Sequence, residues 1–201
     1  NLFARIGSGA MPFLIPLLLQ VGLGRTPVEA GMMMLPVAAM AMTAKRVVTR
    51  LITRHGYRRF LVVNTLVLGC LQASFAAAPS LPLPALIGLL GCYGAVNSFQ
   101  FTAMNTVTLR DLDAGGAGSG NSLFSMVQML SMSLGVTVAG ALLGVFSGYF
   151  GAPAPAGVEA VRAFQATFVC IGVITCISAS IFWHLAPQIK DASGTGDAGE
   201  A

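Results

Sequence analysis

Of the 201 residues, 55% are apolar and only 9% are charged, with a formal net charge of +4. A water-soluble domain carries about 25% charged residues, so this composition excludes a surface that faces water on every side. Nucleic acid is an equally poor fit for the positive balance, because six of the eleven Lys and Arg residues crowd between Lys45 and Arg59 instead of spreading over a face.

What remains is an all-α, polytopic membrane protein. A membrane helix needs about 20 apolar residues at a rise of about 1.5 Å each. Six spans are predicted, over residues 1–22, 28–45, 60–79, 83–108, 121–149 and 161–186. The first opens at Asn1 already within a helical pattern, so an upstream part is expected. It holds Pro12 and Pro16 and one strong charge, Arg5. Arg5 has two readings: a buried group facing a cavity or partner, or a side chain that snorkels from the helix end.

Thr26, Pro27 and Glu29 open the second span as a capping box with proline at the first helical position, which makes Glu29 structural. After this span, Arg46, Arg50 and Arg54 recur every four residues on one helical side and Val47, Val48, Leu51 and Ile52 occupy the other. That piece is predicted to lie at the membrane interface. The breaks after spans two, four and six together hold eight basic residues (six in Lys45 to Arg59, Arg110 and Lys190), against Arg25 and Arg162 in the others. The positive-inside rule then places the even breaks and the C-terminus in the cytoplasm. Residues 187–201 are predicted to form a disordered cytoplasmic tail, leaving 1–186 as the transmembrane bundle.

In the fourth span Asn97, Gln100, Phe101, Met104 and Thr108 share one helix face, and in the fifth Asn121, Ser125, Gln128, Met132 and Gly135 do the same. These stripes either line an aqueous substrate path or supply interhelical hydrogen bonds, each worth about 0.6 kcal/mol in a bilayer. Met32 to Met34, Met126, Met129 and Met132 suit a cavity that repacks around varied apolar ligands, and also suit ordinary membrane packing. Gly140, Gly144 and Gly148 form successive GxxxG steps, for which a close helix contact is expected.

Sites of other kinds find little support. Cys70, Cys92, Cys170 and Cys176 lie in apolar runs without metal-ligand spacing and are read as small packing residues. No metal or other cofactor is expected. The glycine-rich stretch from Asp113 to Gly120 lacks a phosphate-loop pattern and reads as a flexible connection, with Ser119 or Asn121 capping the fifth helix. Ser119 in an Ala-Gly-Ser-Gly turn, with His184 near the end of span six, gives an intramembrane serine protease of rhomboid type as a rival reading. All seven acidic residues fall at span ends, in breaks or in the tail, so a proton relay would have to lie in the upstream part.

The run Leu51-Ile-Thr-Arg54-His-Gly56-Tyr-Arg58-Arg59 resembles the signature loop of the major facilitator superfamily, Gly-x3-Asp-Arg-x-Gly-Arg-Arg or Lys. Arg54, Gly56 and Arg58 match, whereas Thr49, Thr53 and Tyr57 depart from it. The second copy of this loop is typically the degenerate one, so the resemblance implies the C-terminal half of that fold. The runs Arg5-Ile-Gly-Ser-Gly, Gly31-Met-Met-Met, Lys45-Arg-Val-Val, Ser119-Gly-Asn-Ser-Leu and Leu130-Ser-Met-Ser-Leu-Gly are similar to the family's drug:proton antiporter branch, which has fourteen-span members.

That branch implies export of small molecules across a bacterial inner membrane by alternating access, driven by protons. The implied partners are the lipid bilayer, a small-molecule substrate, protons and the N-terminal half of the same transporter. Arg5, Asn97, Gln100, Phe101, Met104, Gln128 and Met132 would line the substrate path, and Arg54, Gly56, Arg58 and Arg59 would form a gating loop, or would only orient the chain by their charge. Export of an anionic metabolite anchored by Arg5 is the alternative transport reading.

Overall fold

The computed structural model describes residues 2–55, 57–110, 117–151 and 158–185. Within them run six helices: α1 (Leu2–Leu17), α2 (Pro27–His55), α3 (Tyr57–Ser74), α4 (Leu83–Arg110), α5 (Ala117–Tyr149) and α6 (Val158–Leu185). No strand occurs among the described residues. Four stretches are long and apolar enough to cross a membrane: Pro27–Ala44, Arg59–Ser80, Ser125–Tyr149 and Val158–Ala179. The apolar part of α1, Ile6–Gly22, is shorter, and Asn97 and Gln100 dilute the hydropathy of α4.

Local chemistry accounts for the helix ends. At the start of α2 the Thr26 N–H donates to the Glu29 carboxylate at 3.0 Å, and the Glu29 N–H donates to the Thr26 hydroxyl at 3.3 Å. This is the capping box expected from the sequence, with Pro27 at a position whose missing N–H costs nothing. Pro12 and Pro16 remove two backbone donors from α1. The helix then widens into a π-helical turn over Leu18–Gly22 and stops at Gly24, whose φ of +63° favours glycine. A 3₁₀ turn, Phe75–Ser80, ends α3, and the Gln165 side chain satisfies its Ala76 carbonyl at 2.8 Å.

The basic stretch after the second span is not a separate interfacial piece. Instead, α2 continues unbroken through it to His55, because only half of its apolar side is free. Val48 and Ile52 are buried against Phe60, Leu61, Ala103 and Met104, whereas Val47 and Leu51 are exposed. A larger apolar cluster fills the opposite end of the bundle. There Met11, Leu14, Ile15 and Leu18 of the first helix meet Leu68, Leu90 and Phe164, and Phe75 touches Phe168 and Tyr93 at ring-centroid distances of 5.6 and 5.8 Å.

Three pairings dominate: α2 with α4, α3 with α6, and α1 with α5. Each closes on glycine. A methyl group built at Gly135 would stand 2.5 Å from the Ile6 carbonyl oxygen, and one at Gly9 would stand 2.8 Å from the Cα of Met132. Gly69 and Gly172 meet backbone to backbone between α3 and α6, where the added groups would reach carbonyl oxygens at 2.8 and 2.6 Å. At Gly94 the obstacle is the backbone of Val37, with its Cα at 2.7 Å. Close backbone approach is how membrane helices gain packing energy when lipid is as apolar as the side chains. The contact expected at Gly140, Gly144 and Gly148 is absent among the described residues, none of which lies within 4 Å of a methyl group at any of the three. The face of α5 that meets α1 carries Gly135, and the GxxxG series points elsewhere.

Candidate functional site

Polar side chains buried in apolar helices are the residues most in need of explanation, because a bilayer offers no water to satisfy them. Gln100 on α4 is one of them, with 3% of its surface exposed. Its Oε1 accepts a hydrogen bond from the Asn64 amide at 2.7 Å, and its Nε2 donates to the Thr65 hydroxyl at 2.8 Å. Thr65 passes its own proton to the Leu61 carbonyl at 2.7 Å, and Asn64 also donates to the Val96 carbonyl at 3.2 Å. The Gln100 amide also lies 3.6 Å from the Met104 sulfur. Between α3 and α4, then, Gln100 is an interhelical cross-link, one of the two roles open to it from the sequence. Asn64 and Thr65 lie outside the two sequence-derived stripes, and their signal in the sequence is a pair of adjacent polar residues within the run Val62 to Leu68.

The remaining α4 positions divide by exposure. Met104 is buried, Asn97 is half-buried and Phe101 is 47% exposed. On α5, Gln128 is half-buried and Met132 is 44% exposed, beside the glycine crossing with α1. The two stripes do not form one paired face, because α5 packs chiefly on α1 and α6 while α4 packs chiefly on α2 and α3. Exposed methionines stand on both outer helices, at Met32, Met40 and Met42 of α2 and at Met126 and Met129 of α5.

A second polar site joins α3 to α6. Gln72 and Thr175 are fully buried, and the Thr175 hydroxyl donates to the Gln72 Oε1 at 2.7 Å. Gly7 of α1 closes the site, since a side chain there would collide with the Thr175 hydroxyl. Among the described residues the Gln72 Nε2 has no partner.

Arg59 is exposed in the first turn of α3. Gly56 and residues 186–201, with the expected tail, lie outside the described residues, as do the side chains of Arg5, Arg54, Arg58, Ser119 and His184. Neither the Arg5 anchor, the complete gating loop nor the protease pair therefore has a described geometry. Glu29 and Glu159, the acidic residues whose side chains are described, are both exposed in first helical turns. No group of three or more metal-ligating side chains occurs among the described residues.

A sequence profile of the Major Facilitator Superfamily matches residues 2–136. Among curated proteins, the chain is similar to MdtD, a protein provisionally named for multidrug resistance. It is 44% identical to MdtD of Yersinia enterocolitica over 190 residues, which is 90% of this chain and 39% of that protein. With MdtD of Cronobacter sakazakii the identity is 44% over 191 residues, 94% of this chain and 40% of that protein. With MdtD of Salmonella newport it is 45% over 180 residues, 89% and 38%. The chain thus spans about two fifths of the length of these relatives. No solved structure matches it.

Proposed function

The chain belongs to the major facilitator superfamily, and on that premise we propose that it is the C-terminal half of a proton-coupled exporter of small molecules, of multidrug efflux type. It is a multi-pass membrane protein. The observation that carries the reading is its similarity to MdtD along nine tenths of its own length but only two fifths of theirs. In this proposal residues 1–186 are the six-helix bundle, residues 187–201 are a cytoplasmic tail, and a matching N-terminal half completes the transporter in a bacterial inner membrane. Alternating access between the two halves moves the substrate, and the proton relay lies in the other half, since no described span carries a carboxylate in its interior.

The substrate path is assigned to the less buried members of the two stripes, Phe101, Asn97, Gln128 and Met132. Gln100 and Met104 brace α4 from behind, and Arg5 sits near the start of α1. Flexible thioethers and an aromatic ring supply contact area without fixed directionality, which suits a range of apolar substrates. Arg54, Gly56, Arg58 and Arg59 are assigned to the cytoplasmic gate.

The test is proton-driven transport in proteoliposomes, comparing this chain alone with the chain joined to a matching N-terminal half, against cationic drugs and organic anions. Transport by the joined form alone is expected; transport by the chain alone would overturn the half-transporter reading. In the joined form, Phe101→Ala and Met132→Ala are expected to lower export at unchanged membrane abundance. Loss of about 1 kcal/mol of contact corresponds to roughly fivefold weaker apparent affinity. Arg5→Gln separates substrate classes, because selective loss of anion export would replace the multidrug reading with the metabolite one.

A further inference from the structure

One of the glycine crossings of the bundle lies beside two cysteines. Gly69 of α3 and Gly172 of α6 touch through their backbones, and Cys70 and Cys176 flank that contact from opposite helices. The Cys176 sulfur lies against the α3 turn that carries Cys70: it is 3.9 Å from the Leu66 carbonyl and occupies the place a Gly69 side chain would need. Both thiols line one groove, and neither is in a disulfide. Around them is a groove of about 410 Å³ whose other walls are Gly69, Ala73, Gly172, Val173 and Ile177. Every one of those walls is apolar, and Val173 and Ile177 are exposed on the outer side of α6.

We propose that Cys70 and Cys176 form an interhelical dithiol site that captures soft thiophiles able to bind two sulfurs and arriving through the lipid, with trivalent organoarsenicals as the representative class. The proposal is independent of the transport reading. The pair satisfies the requirement such reagents impose: two sulfurs held near each other by a scaffold that need not move. Gly69 and Gly172 provide that scaffold, since neither has a side chain that could keep the helices apart. In the capture step an R–As=O reagent meets two thiols. Two As–S bonds form, the oxygen leaves as water with the two thiol hydrogens, and arsenic stays trivalent, so no oxidant is required. Once formed, the bridge staples α3 to α6. The apolar walls favour reagents that partition into the bilayer over charged ones that remain in water.

The experiment treats the full chain, reconstituted in liposomes, with phenylarsine oxide, then denatures it and alkylates the remaining thiols with N-ethylmaleimide before peptide mass mapping. One arsenic per chain is expected, protecting Cys70 and Cys176 together, leaving Cys92 and Cys170 alkylated, and released by dimercaptopropanol. Cys70→Ser and Cys176→Ser should each weaken capture by roughly 10²-fold or more, the advantage of a second tethered thiol. Cys92→Ser and Cys170→Ser should leave capture unchanged. Protection of any other cysteine, of one thiol alone, or of none overturns the proposal, and because the mapping is done on the unaltered chain, a serine variant that fails to fold does not leave the question open.

Discussion

Helix α3 carries two buried polar sites about 12 Å apart along its axis, and they are built on opposite principles. At Asn64 and Thr65 both ends of the partner amide, that of Gln100, are used, and the Thr65 hydroxyl both accepts and donates. At Gln72 only the oxygen is used, by Thr175, and the Nε2 donor is unpartnered in a place with no exposed surface. The first site is a closed circuit that fixes α3 against α4. The second holds α3 to α6 with one bond and depends for its room on the missing side chain of Gly7. In a bilayer an unpaired donor is costly, so of the two sites the second is the less committed to the arrangement it has.

Substitutions can break that contrast. Gly7→Val should have the largest effect, about 1–3 kcal/mol, because a branched side chain would push Thr175 off Gln72 and press on α6. Thermal unfolding in detergent reads it, and an unchanged midpoint would show that the second site has more room than its geometry indicates. Next comes Gln100→Leu, which leaves the Asn64 donor and the Thr65 hydroxyl short of a partner and should cost about 1–2 kcal/mol. A double-mutant cycle with Asn64→Leu should return a coupling near 0.6 kcal/mol, and zero coupling would mean that the two amides act independently. The smallest change is expected for Gln72→Leu, within about 0.5 kcal/mol of the parent, since it removes one bond and one unpaired donor together and the freed Thr175 hydroxyl can turn to a carbonyl one turn back on α6, as Thr167 does. A loss as large as that of Gln100→Leu would erase the distinction between the sites.

Much of the fold was legible because it is written locally. Thr26 and Glu29 lie three residues apart, so their reciprocal bonds follow from spacing alone, and apolar length marks the spans. What sequence could not supply is which helix meets which. Gly140, Gly144 and Gly148 satisfy the spacing of a close contact as well as any residues here, yet the contact falls at Gly9 and Gly135, because spacing describes one helix and a crossing involves two. For the same reason the helix periodicity marks Gln100 but not its partners, which lie 35 and 36 positions away on another helix. In the basic stretch, charge marks the end of the apolar span at Ala44, while Val48 and Ile52 carry the helix on against α3 and α4.

The glycine crossings also set the mechanics of the bundle. With backbone pressed on backbone there is no side-chain layer to rearrange, so α1 with α5, α2 with α4, and α3 with α6 each behave as a stiff double beam. Compliance is left to the seams between beams. Between the second and third of these, the seam is bridged by two aromatic contacts, Tyr93 on Phe75 and Phe99 on Phe60, with ring centroids 5.8 and 6.2 Å apart. The Gln100 circuit with Asn64 and Thr65 pins that same seam, so the seam left freest to shear is the one between the first beam and the second, where α1 meets α2 and α5 meets α4 only lightly.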